Sequence, residues 1–415
     1  MAAGPRAGAG RLLTPPASPA APLREGNTVE RLYTPGPTPI PERIRRAMAE
    51  PIVHHRTPEF SRLLAEVSSG LRPLCGTREP VIPLVCSGTG ALEAAFVNLC
   101  RRDFRVVTAS AGKFGERWTD LAQAYGVPCA PLTAPYGEVI TPERLAEFMD
   151  ADPHTVQAVC LTHSETSTGV LHDVAELARV ARDRGALVLV DAITSLAVHE
   201  LRMDEWGLDA VVSGSQKGLM LPPGLGFVAL SARARAALHQ ADLPRFYFDL
   251  ERAGRELEQG SSPWTPAISL IVGLRESLAL LAEEGLANVF ARHARHARAT
   301  RAAVRAMGLP LFARVPSNGV TAVGPCPPTG GPFPAPEAVL KSLREVHGMR
   351  LTGGQGSMKG ELLRIGHMGH YTDGDIVDVV VALEETLARL GHEFATPGAG
   401  LRAAEAELIG RAPTA

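Results

Sequence analysis

The chain has 415 residues, of which 45% are hydrophobic and 21% charged, and its formal net charge is −2. This length predicts two or three domains, and the composition is typical of a soluble globular protein with a sizeable core. The near-neutral charge argues against nucleic acid or an anionic membrane surface as a partner, because both favour a concentrated basic face. No uncharged apolar run reaches the roughly 18 residues of a membrane span.

The first 30 residues are rich in Ala, Pro and Gly and show no hydrophobic period, which predicts a disordered tail. The tail carries Arg6, Arg11 and Arg24 and faintly resembles a transit peptide. It has little Ser and no long apolar core, so neither a transit nor a secretory signal is favoured.

From about Val81 short apolar strands alternate with amphipathic helices. The predicted strands are Val81–Cys86, Arg105–Ser110, Ala158–His163, Leu187–Asp191, Ala210–Ser213 and Gly226–Ser231. The predicted helices between them are Ala91–Cys100, Gly115–Tyr125 and Val174–Arg184. This order favours an α/β fold with a mainly parallel, doubly wound sheet, whose ligands bind at the carboxyl ends of the strands. Polar residues fall at those ends, at positions 87, 163, 191 and 215.

The chain changes character after Pro266. Two helices are predicted over 267–284 and 286–307, followed by a strand, a helix, a strand and a helix over 317–323, 335–347, 362–366 and 375–390. We expect a large domain over 31–290, a small α+β domain over 291–395 and a C-terminal tail over 396–415. The segment 31–50 is expected to pack with the small domain, and 324–334 is predicted as a surface loop.

Lys217 follows one apolar strand, and Asp191 ends another. An amine that can form an imine and a carboxylate that keeps a pyridine nitrogen protonated are the two groups that pyridoxal phosphate (PLP) chemistry needs. Taken singly, Lys217 could be an exposed loop lysine, and Asp191 a helix cap or half of a structural ion pair. The pair favours the catalytic interpretation.

Three other positions have both a functional and a structural interpretation. Ser87-Gly88-Thr89-Gly90 lies where a strand meets a helix, which suits a phosphate cradle or a tight turn; the Rossmann pattern lacks its third glycine. Phe114 could stack on a heteroaromatic ring or belong to the core. Arg364 lies inside an apolar strand and could bind a substrate carboxylate, or face solvent from an edge.

No metal site is expected. His163-Ser164-Glu165 resembles part of a zinc deaminase motif, but the P-C-x-x-C stretch that this chemistry also needs is missing. The histidine pairs 54/55 and 293/296 have no evident third ligand. The six cysteines form no C-x-x-C pair, and buried reduced thiols in a cytoplasmic protein are favoured over disulfides or metal ligands.

Taken together, these motifs resemble the class V, fold-type-I PLP aminotransferases of the serine–pyruvate/alanine–glyoxylate type, from about Tyr33 to Gly391. The likeness rests on four stretches: Ser87–Ala95, Thr162–Val170, Gly214–Lys217 and Leu363–Gly366. It is closest to the cyanobacterial-type branch labelled a soluble hydrogenase small subunit, through Lys113–Trp118 and Pro244–Tyr247.

The resemblance implies a seven-stranded-type sheet in the large domain, PLP as cofactor, and a homodimer with shared active sites. It implies an imine at Lys217 and a pyridine-nitrogen contact at Asp191. It also implies the following contacts: phosphate at Ser87, Gly88 and Thr89 with Gln216 nearby, ring stacking by Phe114, the ring hydroxyl at Thr166, a partner-subunit phosphate contact from Thr265, and substrate at Arg364 and near Gly36.

The predicted activity is amino transfer by a ping-pong mechanism from alanine or serine to glyoxylate or pyruvate. Phosphoserine or aspartate is an alternative donor; His55-Arg56 resembles a phosphate-binding step of phosphoserine aminotransferases, although a solvated or helix-capping pair is preferred. A cysteine desulfurase is disfavoured, because Cys326 precedes two prolines and lacks a Ser-rich context. A non-catalytic subunit of a hydrogenase or other complex is the alternative from another class.

Overall fold

The computed structural model describes residues 30–326 and 333–410. Residues 1–29 of the predicted N-terminal tail (1–30), the middle of the predicted loop (327–332) and residues 411–415 lie outside this range. In chain order the first elements are β1 Arg31–Leu32, α1 Glu42–Ala49, α2 Pro58–Cys75, β2 Val81–Val85, α3 Gly88–Leu99, β3 Arg105–Ser110, α4 Glu116–Tyr125, β4 Cys129–Thr133, α5 Pro142–Ala151, β5 Val156–Thr162, β6 Ser164–Glu165, β7 Val170–Leu171, α6 Val174–Asp183, β8 Leu187–Asp191, α7 Met203–Trp206, β9 Ala210–Gly214, β10 Leu225–Leu230, α8 Ala232–Ala237, α9 Leu250–Glu258 and α10 Ile268–Glu284. They continue with α11 Leu286–Ala306, β11 Val320–Val323, α12 Pro336–His347, β12 Met349–Arg350, β13 Thr352–Gly353, β14 Leu363–Gly366, α13 Asp373–Arg389 and α14 Ala399–Ile409.

A seven-stranded sheet with the order β2-β10-β9-β8-β5-β3-β4 lies at the centre of the larger part of the chain. All its strand pairs are parallel except the two that involve β10. Strands β8, β9 and β10 are buried along their whole length, because helices cover both faces of the sheet. The predicted α/β architecture with a mainly parallel sheet is confirmed.

Strand β4 was missed by the sequence analysis. It is an edge strand that pairs with β3 alone, and its side chains alternate between buried and accessible positions. Pro131 lies in its middle, opposite Thr108. A proline is tolerated there because an edge strand leaves one side of its backbone without a ladder partner.

A smaller unit follows α10. Strands β11, β14 and β13 form an antiparallel sheet in that order, and its apolar core includes side chains from α11, α12 and α13. The start of the chain joins this unit, because β1 pairs in parallel with β12 and Tyr33 belongs to the same core. Arg31 of β1 forms ion pairs with Asp375 and Asp378 of α13.

Within the predicted C-terminal tail, residues Ala399–Ile409 form helix α14. This helix packs against α11 and α13, and Ala404 is completely buried among them. Its Ala-rich sequence offers little apolar area per residue, but small side chains allow close approach of two helices: a Cβ at Gly400 would lie only 2.3 Å from Cε of Met307.

Two further observations concern the described residues as a whole. The cysteines are all free thiols, and those at 75, 100, 160 and 326 are buried. Within 30–326 and 333–410 no helix has the length and hydropathy needed to cross a membrane.

Candidate active site

A cleft of about 290 Å³ opens at the carboxyl ends of the central strands. It collects residues from β8, the turn after β9, the start of α3, the loop before α4 and the N-terminal segment. Its lining consists of Gly36, Pro37, Ser87, Gly88, Thr89, Phe114, Arg117, Ser164, Thr166, Asp191, Ile193, Thr194, Gln216, Lys217 and Pro223. Nine of the eleven positions predicted from sequence are therefore brought to one cleft, and Arg364 and Thr265 are not part of its lining.

The start of helix α3 forms one wall. Ser87 is its N-cap, and Ser87 Oγ accepts a hydrogen bond from the backbone N–H of Gly90 at 3.4 Å. A Cβ at position 88 would lie 2.5 Å from Cδ1 of Ile193, so glycine lets the helix start approach this side chain closely. The backbone N–H groups and the positive end of this 12-residue helix thus face the cleft and provide a site for an anionic group such as phosphate.

Asp191 ends strand β8 in the middle of the sheet and is 4% exposed. Its Oδ1 accepts a hydrogen bond from the N–H of Ile193 at 2.8 Å, and Oδ2 has no hydrogen-bond partner among the described residues. Burial raises the pKa of Asp191 to about 7. A cationic N–H donor at Oδ2 would favour the ionised form and remove this penalty.

Lys217 lies in the turn after β9 and reaches the N-terminal segment. Its Nζ donates a hydrogen bond to the carbonyl oxygen of Pro35, while Thr38 Oγ1 donates to the Lys217 carbonyl at 3.1 Å. Gly36 has φ +129°, and a Cβ there would lie 2.7 Å from Nζ of Lys217. Glycine at position 36 therefore leaves the space that the lysine occupies.

The lysine amine is easier to deprotonate than an ordinary lysine. Burial, together with the positive charge of Arg364, lowers the pKa of Lys217 to about 8, against the raising effect of Asp191. A substantial fraction of free amine is then present near neutral pH, as a nucleophile or general base requires.

Arg364 lies in β14 and is 4% exposed. Its Nε donates to the carbonyl of Gly353 at 2.8 Å, and its Nη1 donates to the carbonyl of Thr166 at 3.0 Å. Among the described residues nothing accepts a hydrogen bond from Nη2. Two backbone carbonyls thus fix the guanidinium beside the cleft and leave N–H groups for a ligand, which rules out the solvent-facing alternative.

Phe114 precedes helix α4 and lines the cleft. The guanidinium carbon of Arg117 lies over the Phe114 ring, 5.0 Å from its centroid. Arg117 was not predicted as a site residue, although its position one helical turn after Phe114 is a signal that places both on one face. Its side chain forms no hydrogen bond or ion pair within the part of the chain that the structure describes.

The lining fits a bound PLP group. Oε1 of Gln216 is buried without a hydrogen-bond partner in the described chain, as a cleft shaped for a polar ligand would leave it. The hydroxyl groups of Thr166 and Thr194 hydrogen bond to each other at the cleft wall. PLP carries a phosphate, a pyridine nitrogen and a ring hydroxyl, which match the helix start, Asp191 and Thr166.

Two predicted positions lie outside the cleft. Thr265 follows Trp264, whose ring stacks on Tyr247 at a centroid distance of 5.7 Å on a different, largely apolar surface. Arg56 lies on an exposed segment, and its Nη1 donates to Ser261 Oγ at 3.1 Å. Among the described residues no group of three or more His, Cys, Asp or Glu side chains could hold a metal ion.

The fold together with this cleft defines the fold-type-I class of transferases. Within that class the chain belongs to the family Aminotransferase class-V, whose profile matches residues 34–322. The chain is thus an aminotransferase, an enzyme that acts on amino acids and 2-oxo acids, in a family whose members use PLP.

Three relatives illustrate the similarity. The chain is 40% identical over 377 residues to the soluble hydrogenase 42 kDa subunit of Anabaena cylindrica, covering 90% of this chain and 97% of the relative. It is 39% identical to the L-aspartate–glyoxylate aminotransferase of Paracoccus denitrificans (90% and 95% covered) and 36% identical to the serine–glyoxylate aminotransferase of Methylorubrum extorquens (91% and 95%). The crystal structure of an alanine–glyoxylate aminotransferase from Nostoc sp. matches with a TM-score of 0.83 at 31% identity, covering 89% of this chain and 98% of that one.

Proposed function

We propose that this aminotransferase binds PLP and moves an amino group from alanine or serine to glyoxylate or pyruvate in two successive half-reactions. The observation that carries the proposal is the meeting of Lys217, Asp191 and the start of α3 in one cleft, with Arg364 at its side. Relatives named for glyoxylate as the acceptor support the choice of a small 2-oxo acid.

Bound PLP would supply an electron sink for the carbanion at the substrate's α-carbon. Asp191 would keep the pyridine nitrogen protonated through Oδ2, and Phe114 would stack on the ring. The phosphate would lie at Ser87, Gly88 and Thr89, with Gln216 nearby, and Thr166 would face the ring hydroxyl.

Lys217 has two roles in this proposal. Its amine would hold the cofactor in the resting enzyme, and with substrate bound the free Nζ would accept the proton from the substrate's α-carbon. Arg364 would bind the substrate carboxylate with the N–H groups that its backbone acceptors leave free. Gly36 keeps the backbone of the N-terminal segment close enough to close this end of the cleft.

Aspartate is the second candidate donor, and Arg117 is the observation that favours it. A second guanidinium in the cleft, free of any ion pair with the described residues, could bind the side-chain carboxylate of a dicarboxylic substrate. The Paracoccus relative is named for aspartate as well. Phosphoserine has weaker support, since Arg56 does not reach the cleft of its own chain.

We further propose a cytoplasmic homodimer. Large apolar side chains are exposed around the segment that carries Thr265: Phe246 is 74% exposed, Tyr247 42% and Val85 38%. A second copy of the chain covering this surface would bring Thr265 to the partner's phosphate site. The free cysteines agree with a reducing compartment.

The test is a visible absorbance spectrum of the purified protein with PLP, followed by separate additions of alanine, serine, aspartate and phosphoserine. We expect a yellow species that alanine or serine bleaches, with glyoxylate restoring the colour and yielding glycine. Lys217→Ala should lose this colour and reduce turnover by at least about 10²–10⁴-fold, because it removes both the amine and the base. Lys341→Ala, at an exposed lysine of α12, is the matched control.

The outcomes separate the alternatives. If only aspartate bleaches the colour, aspartate is the amino donor instead of alanine or serine. If phosphoserine is turned over and this turnover is lost in Arg56→Ala, phosphoserine is the donor. A colourless, unresponsive protein that co-purifies with a redox partner would instead favour the non-catalytic subunit.

A further inference from the structure

Glu165 is a completely buried carboxylate directly before Thr166, and it is not part of the cleft lining. Its Oε2 accepts hydrogen bonds from the backbone N–H groups of Phe114 at 3.0 Å and Gly115 at 2.9 Å. Its Oε1 accepts from the N–H and the hydroxyl of Ser167, at 2.9 and 2.6 Å. Four donors therefore converge on one side chain.

The loop before helix α4 is folded closely around this carboxylate. A Cβ at Gly112 would lie 2.5 Å from both Cγ of Glu165 and Oγ of Ser167, so only glycine fits there. The N–H of Lys113 donates to the same Ser167 hydroxyl at 2.9 Å. The backbone from Gly112 to Gly115 is thus attached to Glu165 and Ser167 at three consecutive N–H groups.

The energetic consequence is a stiff loop. Burial raises the pKa of Glu165, while its hydrogen bonds and the positive end of α4 favour the charged form. The buried carboxylate can stay ionised only while these donors remain in place, because an unpaired buried charge is strongly disfavoured. The hydrogen bonds of Glu165 therefore hold the loop to one conformation.

We propose that Glu165 is the positioning residue of Phe114: it fixes the backbone of the ring-stacking residue and thereby sets where that ring meets the cofactor. The inference rests on the proposed PLP function. Arg117 contacts the same ring directly, because its guanidinium group lies over the ring of Phe114, whereas Glu165 binds the backbone of Phe114.

The first test is PLP affinity in a double-mutant cycle of Glu165→Gln and Phe114→Leu. The amide of Glu165→Gln keeps the shape but turns one acceptor into a donor that faces N–H groups. We expect PLP to bind about tenfold or more weakly, with altered visible circular dichroism of the bound cofactor. In the Phe114→Leu background Glu165→Gln should add little, because its effect acts through the ring. Effects that multiply fully would overturn the proposal.

The second test does not depend on the cofactor. Amide hydrogen exchange in protein stripped of PLP should speed up by about tenfold or more over 112–117 in Glu165→Gln. Glu147→Gln, at an exposed glutamate of α5, is the matched control and should change nothing in this segment. Unchanged exchange in Glu165→Gln would overturn the proposal.

A third variant covers the case in which Glu165→Gln does not fold. Ser167→Ala removes one donor to Glu165 and the acceptor of the Lys113 N–H, so the same segment should exchange faster, by a smaller factor; unchanged exchange would count against the proposal. If the wild-type protein binds no PLP, the proposed function fails, whereas the exchange result still decides whether Glu165 holds Phe114. If the wild type binds PLP and Glu165→Gln binds it equally well, only the positioning role fails.

Discussion

At the scale of single residues, the site depends on how closely the N-terminal segment approaches Lys217. Gly36 allows this approach, and the backbone carbonyl oxygen of the preceding residue, Pro35, accepts a hydrogen bond from the lysine amine. The segment is held in turn by Thr38, which donates to the lysine's own carbonyl. The observed position of the Lys217 side chain thus depends on a glycine at position 36.

Gly36→Ala should therefore lower turnover at least about tenfold, because a displaced amine no longer meets its target. In this variant, alanine would have to adopt the φ of +129° that Gly36 has, which adds a strain of about 1–3 kcal/mol to the folded protein. Gly126→Ala is the matched control: its φ is also positive (+66°), but a Cβ there meets no atom within 4 Å. Turnover and the free energy of unfolding would be measured for both. Equal losses of turnover would show that the contact with Lys217 does not matter.

A second prediction concerns the lysine's charge. With a pKa of about 8, the reactive amine fraction rises about tenfold per pH unit below pH 8 and levels off above it. The rate at which PLP-free protein captures PLP should follow this curve in stopped-flow absorbance. Arg364→Gln removes a positive charge that disfavours the ammonium form, so its midpoint should move to higher pH. An unchanged midpoint would contradict the repulsion between the charges of Arg364 and Lys217. The control is Arg62→Gln, at an exposed arginine of α2, which should leave the midpoint unchanged.

At the scale of elements, strand β14 joins the two parts of the site. Arg364 projects from it toward Thr166, and Gly366 donates its N–H to the carbonyl of Tyr33 at 2.7 Å. The strand therefore positions the guanidinium and holds the N-terminal segment that covers Lys217.

Gly366→Ala should destabilise the protein by about 1–3 kcal/mol, because a Cβ there would lie 2.2 Å from the backbone oxygen of Thr34, which cannot move aside cheaply. In the neighbouring strand β13, Gly353→Ala places its Cβ 3.4 Å from Leu340 and should cost less than about 1 kcal/mol. Chemical denaturation of both variants tests this. A Gly366→Ala protein as stable as Gly353→Ala would mean that the N-terminal segment is not tightly held.

At the scale of the whole molecule, buried histidines accumulate where the small unit meets the large one. His163 and His172 are each 5% exposed, and His199 beside them is partly buried. Both ring nitrogens of His172 lack a hydrogen-bond partner in the described chain. Burial lowers the pKa of His172 and of His199 to about 4, and the charge of Arg301 contributes at His199.

These shifts predict acid sensitivity. A histidine whose pKa falls on folding contributes stability that is fully present above its unfolded value of 6.5 and is lost as the pH falls toward 4. Each of the two should remove about 1.5–2 kcal/mol from the free energy of unfolding between pH 6.5 and pH 5. His172→Gln should lose correspondingly less over this interval, whereas His154→Gln, at an exposed histidine, should match the wild type. A pH-independent free energy of unfolding would refute the prediction.

The amino-acid sequence by itself determined the alternating strands and helices and the position of most polar strand ends. Hydrophobic patterns in β3 and β8 reproduce the observed bounds, because these strands are central and buried on both faces. The edge strand β4 and helix α14 escaped prediction for the opposite reason: a proline-containing edge and an Ala-rich helix have weak local signals, and only their packing partners stabilise them.

Only the tertiary structure decided how the site is assembled. Lys217 and Pro35 are 182 positions apart, and Arg364 and Thr166 are 198 apart, so no local pattern indicates either hydrogen bond. Glu165 and Arg117 lie inside sequence motifs that carry the family resemblance, yet their contacts with Phe114 depend on a loop folding around a buried carboxylate. Local periodicity reports which face of an element is buried; which buried polar groups meet is set by the arrangement of the elements in space.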